Sequence, residues 1–297
     1  MKKVLVLLAT YNGEKYLREQ LDSVFAQKNV EMHILARDDG SLDQTKAILQ
    51  EYSDHHFLKW YTGKHLNVQK GYFNLMQKAA ETDFDYFAFC DQDDIWDADK
   101  IETALQQMGS VNVPTLYYCG QRLVDADAAF IADHRLNQDR SLQARFVLSD
   151  FAGCTGVFNR SLLEEVVKFE PAYMLMHDTW ILKVCLCLGG KVVVDPEPHM
   201  NYRQHGGNTV GLGRSLPAYV KQVRQYLNEY HVEKQMRELE RGYGGRMVNP
   251  YKEICDWICH YTDNRKYKNY LLDKKNIDFC NKGLNLTYWL KVQLNKL

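Results

Sequence analysis

Apolar positions follow two alternating patterns along the first two thirds of the chain. Residues 4–9 form an unbroken apolar run, as expected for a strand buried on both faces. Leu17, Leu21, Val24 and Phe25 follow at helical spacing. Residues 32–36 predict a second strand. Ser41 with Gln44 resembles a capping box that opens a helix through Ala47, Ile48 and Leu49. A third strand is expected over 57–61, a helix over 72–80, and a fourth strand over 86–90 that runs straight into acid. This βαβα rhythm predicts an α/β fold, a mainly parallel sheet flanked by helices.

Beyond Leu116 the pattern loosens. A strand is expected over 152–158, a helix over 161–167, a buried helix over 180–188 and a short strand over 192–194. After Gly213 the character shifts, and Leu216, Tyr219, Val220, Val223, Tyr226, Leu227 and Tyr230 follow helical spacing. The expected organisation is a first domain over 1–213 and a helical C-terminal extension over 214–297. No stretch approaches the ~18–20 apolar residues of a spanning helix. The run over 4–9, behind Lys2 and Lys3, is too short for a secretory signal, which predicts a cytoplasmic protein.

Composition narrows the class. The chain has 297 residues, 45% hydrophobic and 25% charged, which excludes a disordered chain. A net charge of -1 argues against a nucleic-acid partner. The charge is uneven. Lys+Arg and Asp+Glu number 37 and 38 overall and 15 and 9 over 215–297, hence 22 and 29 over 1–214. In the basic tail, Leu286, Trp289, Leu290, Leu294 and Leu297 make one apolar stripe near Lys282, Lys291 and Lys296. Two readings stand: a helix lying on an anionic membrane surface, or a helix packed on the core or on a second subunit in a homodimer. The eight cysteines are scattered with no CxxC pair, and they read as small buried hydrophobes.

Candidate chemistry gathers at strand ends, where open α/β sheets hold ligands. Asp91, Asp93 and Asp94 stand in FCDQDDIW directly after the fourth strand. Three carboxylates repel one another unless a cation or solvent relieves them. Asp-x-Asp aims two oxygens at one hard cation, Mn2+ or Mg2+, which fills its other positions with water and substrate phosphates. The competing reading is an acidic cap for the helix over 99–108, or a solvated turn. Arg37, Asp38, Asp39, Gly40 and Ser41 end the second strand. A carboxylate there can accept a hydrogen bond from the imide of uracil or thymine, or serve turn and cap chemistry. The first strand ends in Thr10, Tyr11, Asn12 and Gly13, with one glycine where a dinucleotide-binding turn would carry GxGxxG. No P-loop pattern is present, so phosphates would be held through the cation at Asp91 and Asp93.

Three segments coincide in order: LATYNGEKYLREQLDS, RDDGSLDQT and DQDDIW. With FAGCTGVFNRSLL, MHDTW and YRQHGGNTVG they resemble glycosyltransferase family 2, inverting enzymes of GT-A fold, over about residues 1–213. The set looks most like the bacterial rhamnosyltransferase-type branch, whose members build surface polysaccharides. The resemblance implies roles. Thr10, Tyr11 and Asn12 would line the nucleoside pocket, with Asp39 and Asp38 at the base. Asp91 and Asp93 would hold the cation, joined by His205. Asp178 matches the catalytic base, with His177 where the family often has Glu. Gly153, Cys154 and Thr155 match a loop beside the acceptor, and Gln204 a late loop that reaches the donor diphosphate.

The implied reaction is a single displacement at the anomeric carbon, with a glycan hydroxyl attacking a nucleoside-diphosphate sugar. Family resemblance favours dTDP-rhamnose as donor, then UDP-hexoses. The implied acceptor is a glycan or lipid-linked oligosaccharide at the inner face of the cell membrane. A nucleotidyltransferase would want a Gly-rich basic loop after the first strand, which residues 10–14 do not provide. A non-catalytic nucleotide-sugar binder is the remaining alternative, and Asp178 beside Asp91 and Asp93 argues against it.

Overall fold

The computed structural model describes residues 1–110, 112–205 and 230–297. The first half is the expected ladder: β1 (Lys2–Thr10), α1 (Leu17–Phe25), β2 (Val30–Asp38), α2 (Thr45–His55), β3 (Leu58–Thr62), α3 (Val68–Ala80) and β4 (Tyr86–Cys90). All three pairings here, β3 on β2, β2 on β1 and β1 on β4, are parallel. Strand β1 shows why its sequence is apolar without alternation. Val4, Val6 and Leu8 pack under α1 and α2, whereas Leu5 and Leu7 pack under α3. Burial on both faces removes any position for a polar side chain.

The far half mixes directions. It comprises β5 (Ile95–Trp96), α4 (Lys100–Met108), β6 (Thr115–Val124), β7 (Phe130–His134), α5 (Leu142–Val147), a 3₁₀ turn (Gly153–Thr155), β8 (Val157–Asn159), α6 (Arg160–Val167), α7 (His177–Cys187) and β9 (Lys191–Arg203). Among the described residues the sheet order is β3-β2-β1-β4-β8-β6-β9-β5, with β7 on β6. β8 runs antiparallel between β4 and β6, and β9 returns parallel to β6. Helix α7 is apolar nearly all round, from Trp180 to Cys187, and is buried all round. Among the described residues four helices follow: α8 (Val232–Tyr243), α9 (Tyr251–His260), α10 (Arg265–Leu272) and α11 (Lys282–Gln293). Their Met236, Leu239, Ile258, Leu271, Tyr288 and Val292 share one apolar cluster with α7 and with Leu5 and Leu7.

Several local expectations change. The helix after Ser41 begins only at Thr45, and no side chain caps it. Ser41 instead turns its hydroxyl onto Asp38. Residues 152–158 divide into the 3₁₀ turn and a three-residue strand. The short strand over 192–194 is one part of the 13-residue β9. The helix expected from Leu216, and the 213/214 boundary, lie outside the described residues. In α11 the inward face is Thr287, Tyr288, Lys291 and Val292, and Leu297 is also buried. Leu286, Trp289, Leu290 and Leu294 are 37–59% exposed, so among the described residues this part of the stripe does not pack on the core.

Deleting one face of the central strand should be costly. Leu7→Ala, at a fully buried position, is expected to lower unfolding free energy by about 2–5 kcal/mol in urea titration. A loss below about 1 kcal/mol would mean that β1 is not clamped between two helical layers.

Candidate active site

The acids that follow β4 are held from three sides. Tyr72, buried on α3, points its hydroxyl to within 2.7 Å of Asp91 Oδ1 and of the Cys90 carbonyl. Arg203, at the end of β9, donates its backbone N–H to Asp94 Oδ1 at 3.1 Å and its Nε–H to the Asp93 carbonyl at 2.9 Å. The same guanidinium reaches Glu19 at 2.5 Å and the Ala126 carbonyl at 2.9 Å. Lys100 lies fully buried beneath, its ammonium 3.3 Å from the Trp96 ring centroid and donating to the Cys154 carbonyl at 2.7 Å. A buried cation under three carboxylates offsets part of their mutual repulsion.

The acids divide into an inner and an outer group. Asp91, Asp94 and Cys154 bring donor atoms within 4.8 Å of one another. Burial, then the neighbouring aspartates, pushes Asp94 well above the usual carboxylate range and pushes up the Cys154 thiol. Asp91 is raised to about 6 by burial and by Asp93, while the Tyr72 hydrogen bond opposes the shift. The outer pair is Asp93 and His205, with Nε2 to Oδ2 at 2.7 Å and side chains 18–20% exposed. A carboxylate beside an imidazole is a donor set that suits Mn2+. Asp94 Oδ2, buried with no hydrogen-bond partner among the described residues, marks the inner side as short of positive charge. Two donor groups could take a divalent cation: the inner Asp91, Asp94 and Cys154, and the outer Asp93 with His205.

Asp178 lies close by. It sits in the first turn of α7, 8% exposed, and Oδ2 accepts the Gly153 backbone N–H at 3.0 Å. Burial raises its carboxyl to about 6, the Thr179 and Gly153 amides oppose the shift, and Asp91 adds to it. His177 stacks on Tyr72 at 3.9 Å and is held neutral by burial, which lowers it to about 3. A Cβ on Gly153 would meet His177 Nε2 at 2.5 Å, so this position has room for glycine only. Gly153 and Cys154 thus position Asp178 and close the inner acid group. Thr155 spends its hydroxyl on the Ala152 carbonyl.

A second cluster forms where β1 and β2 end. Asp38 is fully buried. Its Oδ2 accepts the Gly40 and Ser41 amides at 3.0 Å, and its Oδ1 faces the Thr10 and Ser41 hydroxyls. That carboxylate shapes its own turn and has no oxygen left for a base. Asp39 is ion-paired with the buried Arg37, whose other amine donates to the Lys64 carbonyl at 2.6 Å. Tyr11 is 47% exposed, and its ring faces His65 at 4.9 Å. Asn12 has φ +48 and accepts the Leu42 amide at 2.9 Å. Gln92 clamps the two strand ends together, accepting the Tyr11 amide at 2.9 Å and donating to its carbonyl at 3.1 Å.

The structure thus gathers Asp91, Asp93, His205, Asp178, His177, Gly153 and Cys154, and places Tyr11, Asn12 and Asp39 on the neighbouring loops. Gln204 continues β9, its amide donating to the Val124 carbonyl at 2.8 Å. Sequence reasoning missed Tyr72, Lys100, Arg203 and His65. Tyr72 and Lys100 sit in ordinary helical patterns, and Arg203 inside YRQH carries no signal that it reaches back to DQDD.

Comparison with known proteins follows the geometry. Residues 5–167 match the profile of glycosyl transferase family 2. The chain is 29% identical over 242 residues to a dTDP-rhamnosyl transferase, RfbG, of Shigella flexneri, covering 75% of this chain and 80% of that protein. It is 32% identical over 114 residues to the Escherichia coli UDP-Glc:alpha-D-GlcNAc-diphosphoundecaprenol beta-1,3-glucosyltransferase WfgD, covering 38% and 44%. Among solved structures, Staphylococcus aureus TarS 1-349 in complex with UDP-GlcNAc superposes with TM-score 0.60 at 15% identity, covering 98% and 79%. The mannosyltransferase PcManGT of Pyrobaculum calidifontis, in complex with GDP-Man and Mn2+, gives 0.60 at 14%, covering 99% and 86%. These likenesses show the GT-A fold.

The buried Asp178 has a measurable thermodynamic signature. Its folded pKa of about 6 exceeds the unfolded value near 3.8, so the folded state binds the extra proton between them. Its contribution to stability is therefore lost as pH rises from about 4 to 6. Asp178→Asn is expected to be about 1–3 kcal/mol more stable than the parent at pH 7 and equal to it below pH 4 in denaturant titrations. Equal stability at both pH values would mean that the carboxyl is not desolvated.

Proposed function

The chain belongs to glycosyltransferase family 2 and resembles its rhamnosyltransferase-like branch, and from that premise we propose that it moves a sugar from a nucleoside diphosphate to a glycan hydroxyl with inversion at the anomeric carbon. The observation that carries this reading is Asp178, a carboxylate aimed by the Gly153 amide and close enough to feel the charge of Asp91. A general base and a diphosphate-binding acid group thus stand side by side.

Asp178 takes the proton of the attacking hydroxyl as the new C–O bond forms. A hydroxyl is a weak nucleophile, and such help is worth about 10²–10⁴-fold. The raised pKa suits the task, because a base near neutral pH is stronger than an ordinary carboxylate and is still mostly ionised. Neutral His177 adds no competing charge, and its stacking on Tyr72 fixes the start of α7. Asp91, Asp93 and His205 would hold a divalent cation, which supplies positive charge to the leaving diphosphate. Tyr11 and Asp39, with His65 opposite, hold the base. Fixing donor and acceptor in line converts a bimolecular encounter into an oriented one.

The donor we assign first is dTDP-rhamnose, supported by the 29% identity to a dTDP-rhamnosyl transferase across most of both chains. The acceptor is a glycan, free or lipid-linked, at the cytoplasmic face of the membrane, and residues 1–213 form the transfer domain. Among the described residues no helix is long and apolar enough to cross a membrane.

Two measurements test this reading. In a thermal-shift panel of nucleotide sugars with Mn2+, Mg2+ or chelator, dTDP-rhamnose with metal should give the largest rise in Tm. A larger rise with a UDP-hexose would reassign the donor, and no metal-dependent rise with any nucleotide sugar would end the transferase reading. Asp178→Asn should lose at least about 10²-fold in kcat with donor affinity little changed. The ascending limb of the parent's kcat/KM profile should inflect near pH 6, the value to which Asp178 is raised.

A further inference from the structure

Helix α11 presents water with a face that water does not favour. Leu286, Trp289, Leu290 and Leu294 recur at i, i+3, i+4 and i+8 and are 37–59% exposed. A contiguous exposed apolar patch on one helix marks a docking surface. The helix packs by its other side, through Thr287, Tyr288, Lys291 and Val292, so the outer stripe is left exposed among the described residues.

The surroundings of the stripe are cationic. Residues 264–297 hold eight Lys+Arg against two acids, Asp273 and Asp278. Lys291 is buried, and Arg265, Lys266, Lys274, Lys275, Lys282 and Lys296 are exposed. The two acids are engaged locally. Asp278 accepts from Asn285 and the Cys280 amide, and Asp273 accepts from the Lys275 amide. Between α10 and α11 opens a cleft of about 260 Å³ lined by Leu271, Leu272, Ile277 and Leu286 together with Lys274 and Lys282. Hydrocarbon and ammonium thus line the same cleft, and a phospholipid carries the two complementary chemistries.

We propose that the outer face of α10–α11 seats this protein on an anionic phospholipid surface, with Leu286, Trp289, Leu290 and Leu294 at acyl-chain depth and the lysines at the headgroups. Charge decides among occupants. A second copy would bring the same excess of cations against itself. Nucleic acid shares the phosphate but gives Leu286, Leu290 and Leu294 nothing to bury against. An anionic bilayer satisfies both halves, as amphipathic interfacial helices do. Each surface lysine then adds about fivefold to partitioning at low salt, and tryptophan belongs at the interface. The inference goes beyond the transferase reading and does not depend on it.

The full chain would be sedimented with phosphatidylcholine vesicles made with and without phosphatidylglycerol. Binding is expected only with phosphatidylglycerol, falling as salt rises. Leu286→Glu/Leu290→Glu/Leu294→Glu and Lys274→Gln/Lys275→Gln/Lys282→Gln should each weaken binding about tenfold or more. Acyl chains brominated near the headgroup should quench the parent's fluorescence, and Trp289→Phe should abolish that quenching even if the leucine variant folds poorly. No binding by the parent, binding by both variants as strong as the parent's, or quenching that survives Trp289→Phe would overturn the proposal. So would a concentration-dependent dimer in sedimentation equilibrium that the leucine variant abolishes, since the stripe would then serve a second copy.

Discussion

Negative charge concentrated at the carboxyl end of β4 is the constraint around which this site is built. Asp91, Asp93 and Asp94 follow a strand with no exposed residue between Phe87 and Cys90, so the chain delivers three carboxylates at once to the edge of an apolar interior. Left to themselves they would repel and open the loop. The fold answers with charges and donors from distant segments: Arg203 from β9, Lys100 from α4 and the Tyr72 hydroxyl from α3. The compensation is incomplete. Asp94 retains a buried oxygen without a partner among the described residues, and Asp91 is raised to about 6. Among the described residues the site therefore remains short of positive charge.

The same group of contacts positions Asp178, the proposed base. Lys100 holds the Cys154 carbonyl, the Cys154 turn carries the Gly153 amide, and that amide aims Asp178. His177 fills the space a side chain at 153 would need. Desolvation that would be a liability elsewhere raises Asp178 into the range where a carboxylate is both ionised and basic. Stability is given up for this, as functional sites commonly require.

Legibility in the sequence followed the range of the interaction. The β1 to β4 ladder was readable because burial on both faces leaves a continuous apolar run. Asp91, Asp93 and Asp178 stood out as candidates because their neighbours in DQDDIW and MHDTW carry a family pattern. Asp38 was read with Asp39 as a base contact, and the structure shows why the pair divides. Asp38 turns inward to its own Gly40 and Ser41 amides, which adjacency alone could not show. The 152–158 segment read as a strand because its residues are apolar, yet the turn at Gly153 is dictated by His177, which lies 24 residues on.

By itself, then, the sequence determined the strand and helix order of the first half, the acidic strand end, the candidate base and the presence of an apolar stripe in a basic tail. These depend on local periodicity and on residues close in the chain. Only the tertiary structure decided which carboxylates lie inside and which outside, which of Asp38 and Asp39 is spent on its turn, and which side of α11 faces water. Each of those outcomes depends on what a segment a hundred or more residues away, or a neighbouring turn, places against the side chain, and desolvation by such partners is a property of the folded neighbourhood alone.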